Sequence, residues 1–382
     1  MKNDNALFNV DSAEKYCSHE LLEHLCQIFG PSGCEENVAE FICTQLTGEC
    51  DCVHTDRLGN VIAKIRSTAP VKSTKDNTRK KLLIAAHMDE TGMMIDEISK
   101  DGYLYFSPLG KIDPRVLCGK NVIVGKCDDE KGKGRIHGII SSKAIHHQSA
   151  EERKKATPID KMYIDIGESD HDSACKFVSI GDFAVFDNSY ISYGSETAKL
   201  VNSSALDARM PCAALINTAR KLINSRNDLN CDLYFVFGTR GALGFSGISA
   251  AANRISPDFS LVVDMIEAGD VGAGAACRAG YVGKGAVLNF SDRNAVYDKE
   301  FSELIIKTAQ KENLPLQING NTAELSGDAA RVQLSACGSK CAYLSVPGRY
   351  LRTASVTASL TDLENTTALI EKIVAEIGKA EA

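Results

Sequence analysis

The stretch from Leu82 to Ile95 constrains the fold of this chain more than any other part of it. It reads Leu-Leu-Ile-Ala-Ala-His-Met-Asp-Glu-Thr-Gly-Met-Met-Ile, so that five apolar residues lead directly to a histidine. A short, continuous apolar run predicts a strand that is buried on both faces, as strands are inside a parallel sheet. The polar residues therefore come where the strand leaves the sheet, the edge at which open α/β sheets build their functional sites.

His87 and Asp89, at the end of this run, are candidates for chemistry. Residues two apart in an extended chain point to the same side, so the imidazole and the carboxylate should lie together. Such a pair suits a metal ligand with its orienting partner. It suits equally well a histidine at a strand end whose hydrogen bonds are satisfied. The stretch alone leaves both interpretations open.

The pattern of the rest of the chain predicts two domains, which the length of 382 residues allows. Helical spacing and buried strands alternate over 1–95 and 194–382, which predicts an α/β domain. Between them, 96–193 contains short β segments separated by turn residues, which predicts a small all-β domain inserted into the first. The predicted segments of the insert are Gly102–Phe106, Val116–Val124, Gly134–Ile140, Met162–Ile166 and Phe183–Phe186.

Local signals predict where several helices begin and end. Apolar spacing predicts a helix over Ser18–Phe29. The segments Ser32–Glu35 and Thr361–Glu364 have the pattern of a capping box, and the second would open the last helix. Pro211 is predicted to begin a helix, because proline fits its first turn.

Composition excludes some classes of protein. The net charge of −7 argues against a nucleic-acid-binding or anionic-membrane surface. The N-terminus opens polar without an apolar signal segment, and no apolar run approaches the ~20 residues that span a bilayer. Fourteen cysteines occur without a Cys-x-x-Cys pair. They are interpreted as buried thiols of a cytoplasmic protein rather than a zinc knuckle or a disulfide framework.

A set of short motifs follows in order along the chain. The motifs are Gly30-Pro31-Ser32-Gly33, Asp56-Arg57-Leu58-Gly59-Asn60, His87-Met88-Asp89-Glu90-Thr91-Gly92, Ala205-Leu206-Asp207-Ala208-Arg209, Val263-Asp264, Gly283-Lys284-Gly285, Gly327-Asp328-Ala329 and Pro347-Gly348-Arg349-Tyr350. Together they resemble the tetrahedral aminopeptidases, dinuclear-metal exopeptidases also catalogued as glutamyl aminopeptidases or endoglucanases. The resemblance runs from about Ser18 to Ile377. Each motif alone is weak, but the ordered set is specific.

The resemblance implies a mixed-sheet catalytic domain of metallo-exopeptidase type, interrupted by a small β-barrel dimerisation domain, and dimers that build hollow particles. It also implies two divalent ions, usually zinc or cobalt, bridged by one aspartate. Two such ions together polarise the scissile carbonyl and activate water, and a neighbouring glutamate is the general base. The first ion's ligands are present as His87, the bridging Asp207 and Asp264. Asp89 stands where the family keeps the aspartate that orients the histidine.

The second ion's own ligands and the base are absent. Gly238 stands at the position of the base and Thr239 at that of the glutamate ligand, and the chain has no glutamate between Glu196 and Glu267. Arg352 stands where the second histidine belongs. A guanidinium cannot bind a metal, but it can pair with Asp207. The alternative is that Arg352 faces solvent on a loop.

Three hypotheses for the function follow. The first is a pseudoenzyme that acts as a structural subunit or binds a peptide or small ligand, and it is favoured because the glutamate pair is missing. The second is an active hydrolase with one ion on His87, Asp207 and Asp264, in which Asp89 could be the base only if it were not committed to His87. The third, a glycosidase, lacks an identifiable pair of acid and base carboxylates. We expect at most one divalent ion per subunit, or none, and a homo-oligomer.

Overall fold

The computed structural model describes residues 15–70, 79–127, 134–187, 189–244, 247–271, 280–320 and 327–377. The strands are β1 Cys52–Thr55, β2 Val61–Ile65, β3 Lys80–His87, β4 Gly92–Ile98, β5 Leu104–Leu109, β6 Asn121–Gly125, β7 Ile136–Ser142, β8 Met162–Asp165, β9 Phe183–Phe186, β10 Ile191–Tyr193, β11 Leu200–Ser203, β12 Cys231–Gly238, β13 Phe259–Glu267, β14 Ala286–Asn289, β15 Leu316–Asn319, β16 Lys340–Gly348 and β17 Val356–Ser359. The helices are α1 Ser18–Gln27, α2 Glu36–Leu46, α3 His171–Ala174, α4 Leu206–Leu222, α5 Ile248–Ile255, α6 Lys299–Lys311, α7 Ala329–Gln333 and α8 Leu360–Glu376.

A mixed eight-stranded sheet forms the centre of the larger part, in the order β1-β2-β12-β3-β13-β16-β14-β15. The strand predicted from Leu82 onward is β3, which pairs in parallel with β12 on one side and β13 on the other. Residues 82–86 are fully buried because α1, α2, α4, α6 and α8 cover one face of the sheet, and α5 and α7 cover the other. The prediction of a doubly buried strand in an α/β fold is confirmed.

The insert is a closed barrel in the order β4-β5-β8-β7-β6-β9. Its first strand begins at Gly92, four residues before the predicted boundary at 96, because β4 follows β3 after only the short exit that carries Asp89. The barrel has its own core, which includes Met93, Leu104 and Ile164. The division of the chain at 95/96 and 193/194 and the dimerisation role of the barrel stay predictions.

Both capping boxes were wrongly predicted, the first because a tertiary contact uses the Ser32 side chain and the second because the helix begins earlier, at a different cap. Ser32 donates its hydroxyl to Asp89 across the fold, and α2 begins after Glu35 without a side-chain cap. The last helix begins at Leu360, capped by Ser359, whose Oγ accepts the N–H of Thr361 at 3.2 Å.

Helix α4 also begins earlier than predicted. Pro211 lies inside it, and the helix starts at Leu206 with two residues of non-helical backbone, Asp207 and Ala208. Because the backbone departs from the helix at Asp207, that carboxylate is free to turn toward the end of β3.

The cysteine prediction is wrong in two respects. Cys34, before α2, forms a disulfide with Cys127, after β6, although 93 residues separate them. Five further cysteines are exposed rather than buried: Cys17, Cys52, Cys118, Cys175 and Cys337. The disulfide could not be read from spacing, because only the docking of the barrel brings the two Cα atoms to 5.1 Å. None of the described helices is long and apolar enough to cross a membrane. The predicted cytoplasmic location stays a prediction.

Candidate metal centre

The three predicted ligands of one ion come together at the carboxyl end of the sheet. His87 is the last residue of β3, Asp264 lies on the neighbouring parallel strand β13, and Asp207 lies at the irregular start of α4. Parallel strands end at the same edge, so His87 and Asp264 converge there. All three offer a ligand atom within 4.8 Å of the other two.

The distances within this triad fit a single divalent ion. His87 Nε2 lies 3.5 Å from Asp207 Oδ1 and 3.4 Å from Asp264 Oδ1. Ligand atoms that share a tetrahedral zinc at ~2.0–2.1 Å are about 3.3–3.4 Å apart, so the spacing matches. One imidazole and two carboxylates are also a donor set that zinc and cobalt accept. These residues could therefore hold the ion that the resemblance implies.

Asp89 orients His87 and is fully committed to that role. The carboxylate has no exposed surface and meets four donors. Its Oδ1 accepts from His87 Nδ1 at 3.1 Å and from the N–H of Gly241 at 2.7 Å. Its Oδ2 accepts from the N–H of Ala242 at 2.9 Å and from the Ser32 hydroxyl. Because Nδ1 donates to Asp89, Nε2 is the ring nitrogen that is left to face a metal.

Gly241 must be a glycine for this arrangement to form. A Cβ at that position would lie 2.2 Å from Cγ of His87, closer than atoms approach. The backbone at 241 therefore packs on the imidazole while it donates to Asp89, and the ring is fixed from two sides.

The electrostatics follow from burial and neighbouring charge. Burial alone would lower the pKa of His87, but the carboxylates of Asp89, Asp207 and Asp264 outweigh it and raise that pKa well above its ordinary value. For Asp89, burial acts to raise the pKa, yet the contacts with His87, Ser32 and Ala242 lower it overall. Asp89 therefore stays an anion.

Tyr343 supports the third ligand, and nothing in the sequence singled it out. Its hydroxyl donates to Asp264 Oδ2 at 3.0 Å, and the N–H of Met265 donates to Oδ1 at 2.7 Å. A tyrosine within an apolar strand reads as ordinary core. The glycine at position 327 is related to it, because a Cβ there would come within 2.6 Å of the phenol oxygen of Tyr343.

Gly238 and Thr239, the two positions predicted to replace glutamates, bring no ligand to His87. Gly238 pairs with His87 across the β12–β3 ladder and has no side chain. Thr239 is turned away: its N–H donates to Asn60 Oδ1 at 3.0 Å, and its hydroxyl lies 3.3 Å from both Leu58 O and Asn60 Oδ1.

Arg352 lines the same cavity as the triad, and its place at the position of the second ion stays a prediction. Its side chain is exposed, and among the described residues it takes part in no ion pair. A neighbouring carboxylate is Glu267, whose two oxygens accept the N–H groups of Tyr350 and Leu351, each at 2.9 Å. Burial and the charge of Asp207 raise the pKa of Glu267, and Arg352 opposes that rise.

The cavity over the triad has a volume of about 1010 Å³ and is built by both parts of the molecule. The barrel contributes Pro108, Lys111 and Ile112, and the α/β part contributes the triad and the loop at 351–353. Its volume suits a small ligand or a short peptide.

Comparisons with known proteins agree with this geometry. A family model described as M42 glutamyl aminopeptidase matches residues 54–369. A relative from Acetivibrio thermocellus, named provisionally as an aminopeptidase, is 31% identical over 356 residues, 93% of this chain and 98% of the relative. The lysyl aminopeptidase of Pyrococcus furiosus is 27% identical over 94% of this chain and 97% of its own length.

Solved structures show the same fold. A TET aminopeptidase from a marine sediment archaeon of the Thaumarchaeota superposes with a TM-score of 0.84 at 29% identity, covering 94% of this chain and 96% of that one. The TET1 peptidase of Pyrococcus horikoshii, described as able to assemble into a tetrahedron or a large octahedral shell, gives 0.78 at 29% identity, covering 94% and 99%. Because the family model matches most of its sequence and the solved structures share its fold, this chain belongs to the M42 glutamyl aminopeptidase family.

Proposed function

We propose that this chain is a non-catalytic member of its family, a pseudoenzyme that keeps one divalent ion and the ligand cavity without peptide turnover. The ion, zinc or cobalt, would be held by His87, Asp207 and Asp264. When bound, it would polarise a ligand carbonyl as a Lewis acid. Peptide hydrolysis also needs a group that takes a proton from water and passes it to the leaving amine.

The observation that carries this proposal concerns the carboxylates that line the cavity. Among its described residues, Asp207 and Asp264 would be taken up as metal ligands, and Glu267 is held by two backbone N–H groups. Asp113 is paired with Arg115. Asp89, outside the lining, is held by four donors, so its contacts give no support to the role of general base.

Gly238 explains why the base is missing. Residues paired across neighbouring strands carry their side chains on the same face, about 4.8 Å apart. A side chain at 238 would therefore project beside the imidazole of His87, its partner in the ladder. Glycine leaves that position without a proton acceptor. Loss of a general base lowers a rate by about 10²–10⁴.

We also propose that the chain forms homo-oligomers, at least a dimer through the barrel. The barrel region exposes large apolar side chains that a partner subunit could cover. They are Ile139, Ile145, Phe177 and Ile180. The assembly described for the TET1 peptidase supports the same conclusion. Light scattering should give at least twice the monomer mass, and a monomer at micromolar concentration would contradict this proposal.

The experiment combines metal analysis with turnover. Elemental analysis of the purified protein should find at most one zinc or cobalt per subunit, and that ion should be lost in His87→Ala. A panel of aminoacyl-nitroanilides should show no hydrolysis above that of His87→Ala. Two ions per subunit would overturn the proposal. Turnover that depends on His87 would overturn it as well and would favour an active single-ion hydrolase.

A further inference from the structure

Arg352 lines the cavity from a turn whose backbone is held by hydrogen bonds. Tyr350 and Arg352 have positive φ angles of 62° and 65°, a region that non-glycine residues occupy only when their surroundings hold them there. The Glu267 carboxylate holds the N–H groups of Tyr350 and Leu351, and the Thr353 hydroxyl donates to Tyr350 O at 2.7 Å. The guanidinium is therefore carried by a fixed backbone.

The two arginines of this segment differ in their partners. Arg349 forms two hydrogen bonds with Asp270, at 2.9 and 2.8 Å, and is satisfied within the protein. Arg352, three residues on, is in no ion pair among the described residues, although it lines the cavity that contains Asp207. Its charge is thus available to a ligand.

The charge of the cavity favours an anion once the ion is bound. A divalent ion offsets the two carboxylates of the triad. Lys111 lines the cavity together with Arg352. Of the acidic side chains that line it besides the triad, Asp113 is paired with Arg115, which leaves Glu267 beside two cations, Lys111 and Arg352.

We propose that Arg352 and the ion together bind the carboxylate group of a small organic acid or peptide, and that Arg352 repels a ligand's ammonium group. Guanidinium and carboxylate match in a planar, two-point contact, whereas two cations repel each other. This inference rests on the proposed function for the triad, and it adds the class of ligand. Arg352 is here a residue for binding and specificity.

Calorimetry with two probes of similar length and opposite charge tests this. Succinate should bind to the zinc-loaded protein, and 1,4-diaminobutane should not. Arg352→Gln should weaken succinate binding about 10–100-fold, as expected for loss of a charge-assisted contact. Arg352→Lys should retain part of the binding. Arg226→Gln, which alters an exposed arginine outside the cavity, should leave it unchanged. Removal of zinc should weaken binding as well.

Several outcomes would overturn the inference: equal succinate binding in Arg352→Gln, equal binding by the metal-free protein, or diamine binding as tight as that of succinate. Failure of the proposed function is seen separately. If nitroanilides are hydrolysed and succinate binding still depends on Arg352, the pseudoenzyme proposal is overturned but this inference stands. If succinate binding is unchanged in Arg352→Gln and no turnover is seen, this inference is overturned and the pseudoenzyme proposal stands.

Discussion

The substitution Asp89→Asn tests whether Asp89 sets the metal affinity by orienting His87. Asparagine keeps the shape of the side chain but offers one acceptor oxygen where the carboxylate offers two. If that oxygen faces His87 and Gly241, the amide group faces the N–H of Ala242 and the hydroxyl of Ser32. In the other orientation, His87 Nδ1 and the Gly241 N–H lose their acceptor.

The magnitude follows from these contacts. At least one partly buried backbone N–H, that of Gly241 or of Ala242, loses its partner in either orientation, which costs up to about 1–3 kcal/mol of folding free energy. Removing the carboxylate that orients a metal-ligating histidine typically lowers metal affinity about 10–100-fold, or roughly 1.4–2.7 kcal/mol. We therefore expect a folded but less stable protein with weaker zinc binding.

Two measurements check this expectation: thermal unfolding of the metal-free protein, and zinc affinity by competition with a chromophoric chelator. Asp96→Asn is the matched control, since Asp96 is an exposed carboxylate of the barrel that accepts from the Ser107 hydroxyl, away from the cavity. It should change neither quantity. A folded Asp89→Asn protein whose zinc affinity stays within about twofold of the unchanged protein would refute the reasoning.

Three further predictions concern neighbouring residues. Gly238→Glu should place a carboxylate beside His87 and bring nitroanilide hydrolysis above background, while the isosteric Gly238→Gln should not; equal rates would contradict a missing base. Tyr343→Phe should lower zinc affinity by up to about tenfold, because Asp264 Oδ2 loses its donor, and unchanged affinity in the chelator assay would argue against that support. Burial raises the pKa of Asp362 to about 6, although the N–H groups of Gly283 and Gly285 oppose the rise. The folded state then holds the proton more tightly than the unfolded chain, so the contribution of Asp362 to stability should increase as pH falls from about 6 to 4. Asp362→Asn should flatten that part of the unfolding profile, and an unaltered slope would contradict the assignment.

Much of the fold could be predicted because its signals are local. The apolar run before His87 has no polar residue that could face water from a helix or from a surface strand. It therefore predicts a buried parallel strand, and β3 is one. The short β segments of the insert likewise indicate strands whatever they pair with, and they form the barrel. The triad as a set was identifiable only through the resemblance to the tetrahedral aminopeptidases, and of its three residues only His87 had been singled out as a candidate for chemistry from the local sequence.

Tertiary structure decided the contacts that join distant segments. Ser32 binds Asp89 instead of capping a helix, Cys34 meets Cys127, and Tyr343 supports Asp264 across 79 residues of chain. No short stretch of sequence specifies such contacts, since each depends on how whole layers dock. For the same reason the direction of Arg352 in the cavity depends on the turn that Glu267 holds. Sequence order therefore determined which residues could serve the site, whereas packing at long range determined how each of them is engaged.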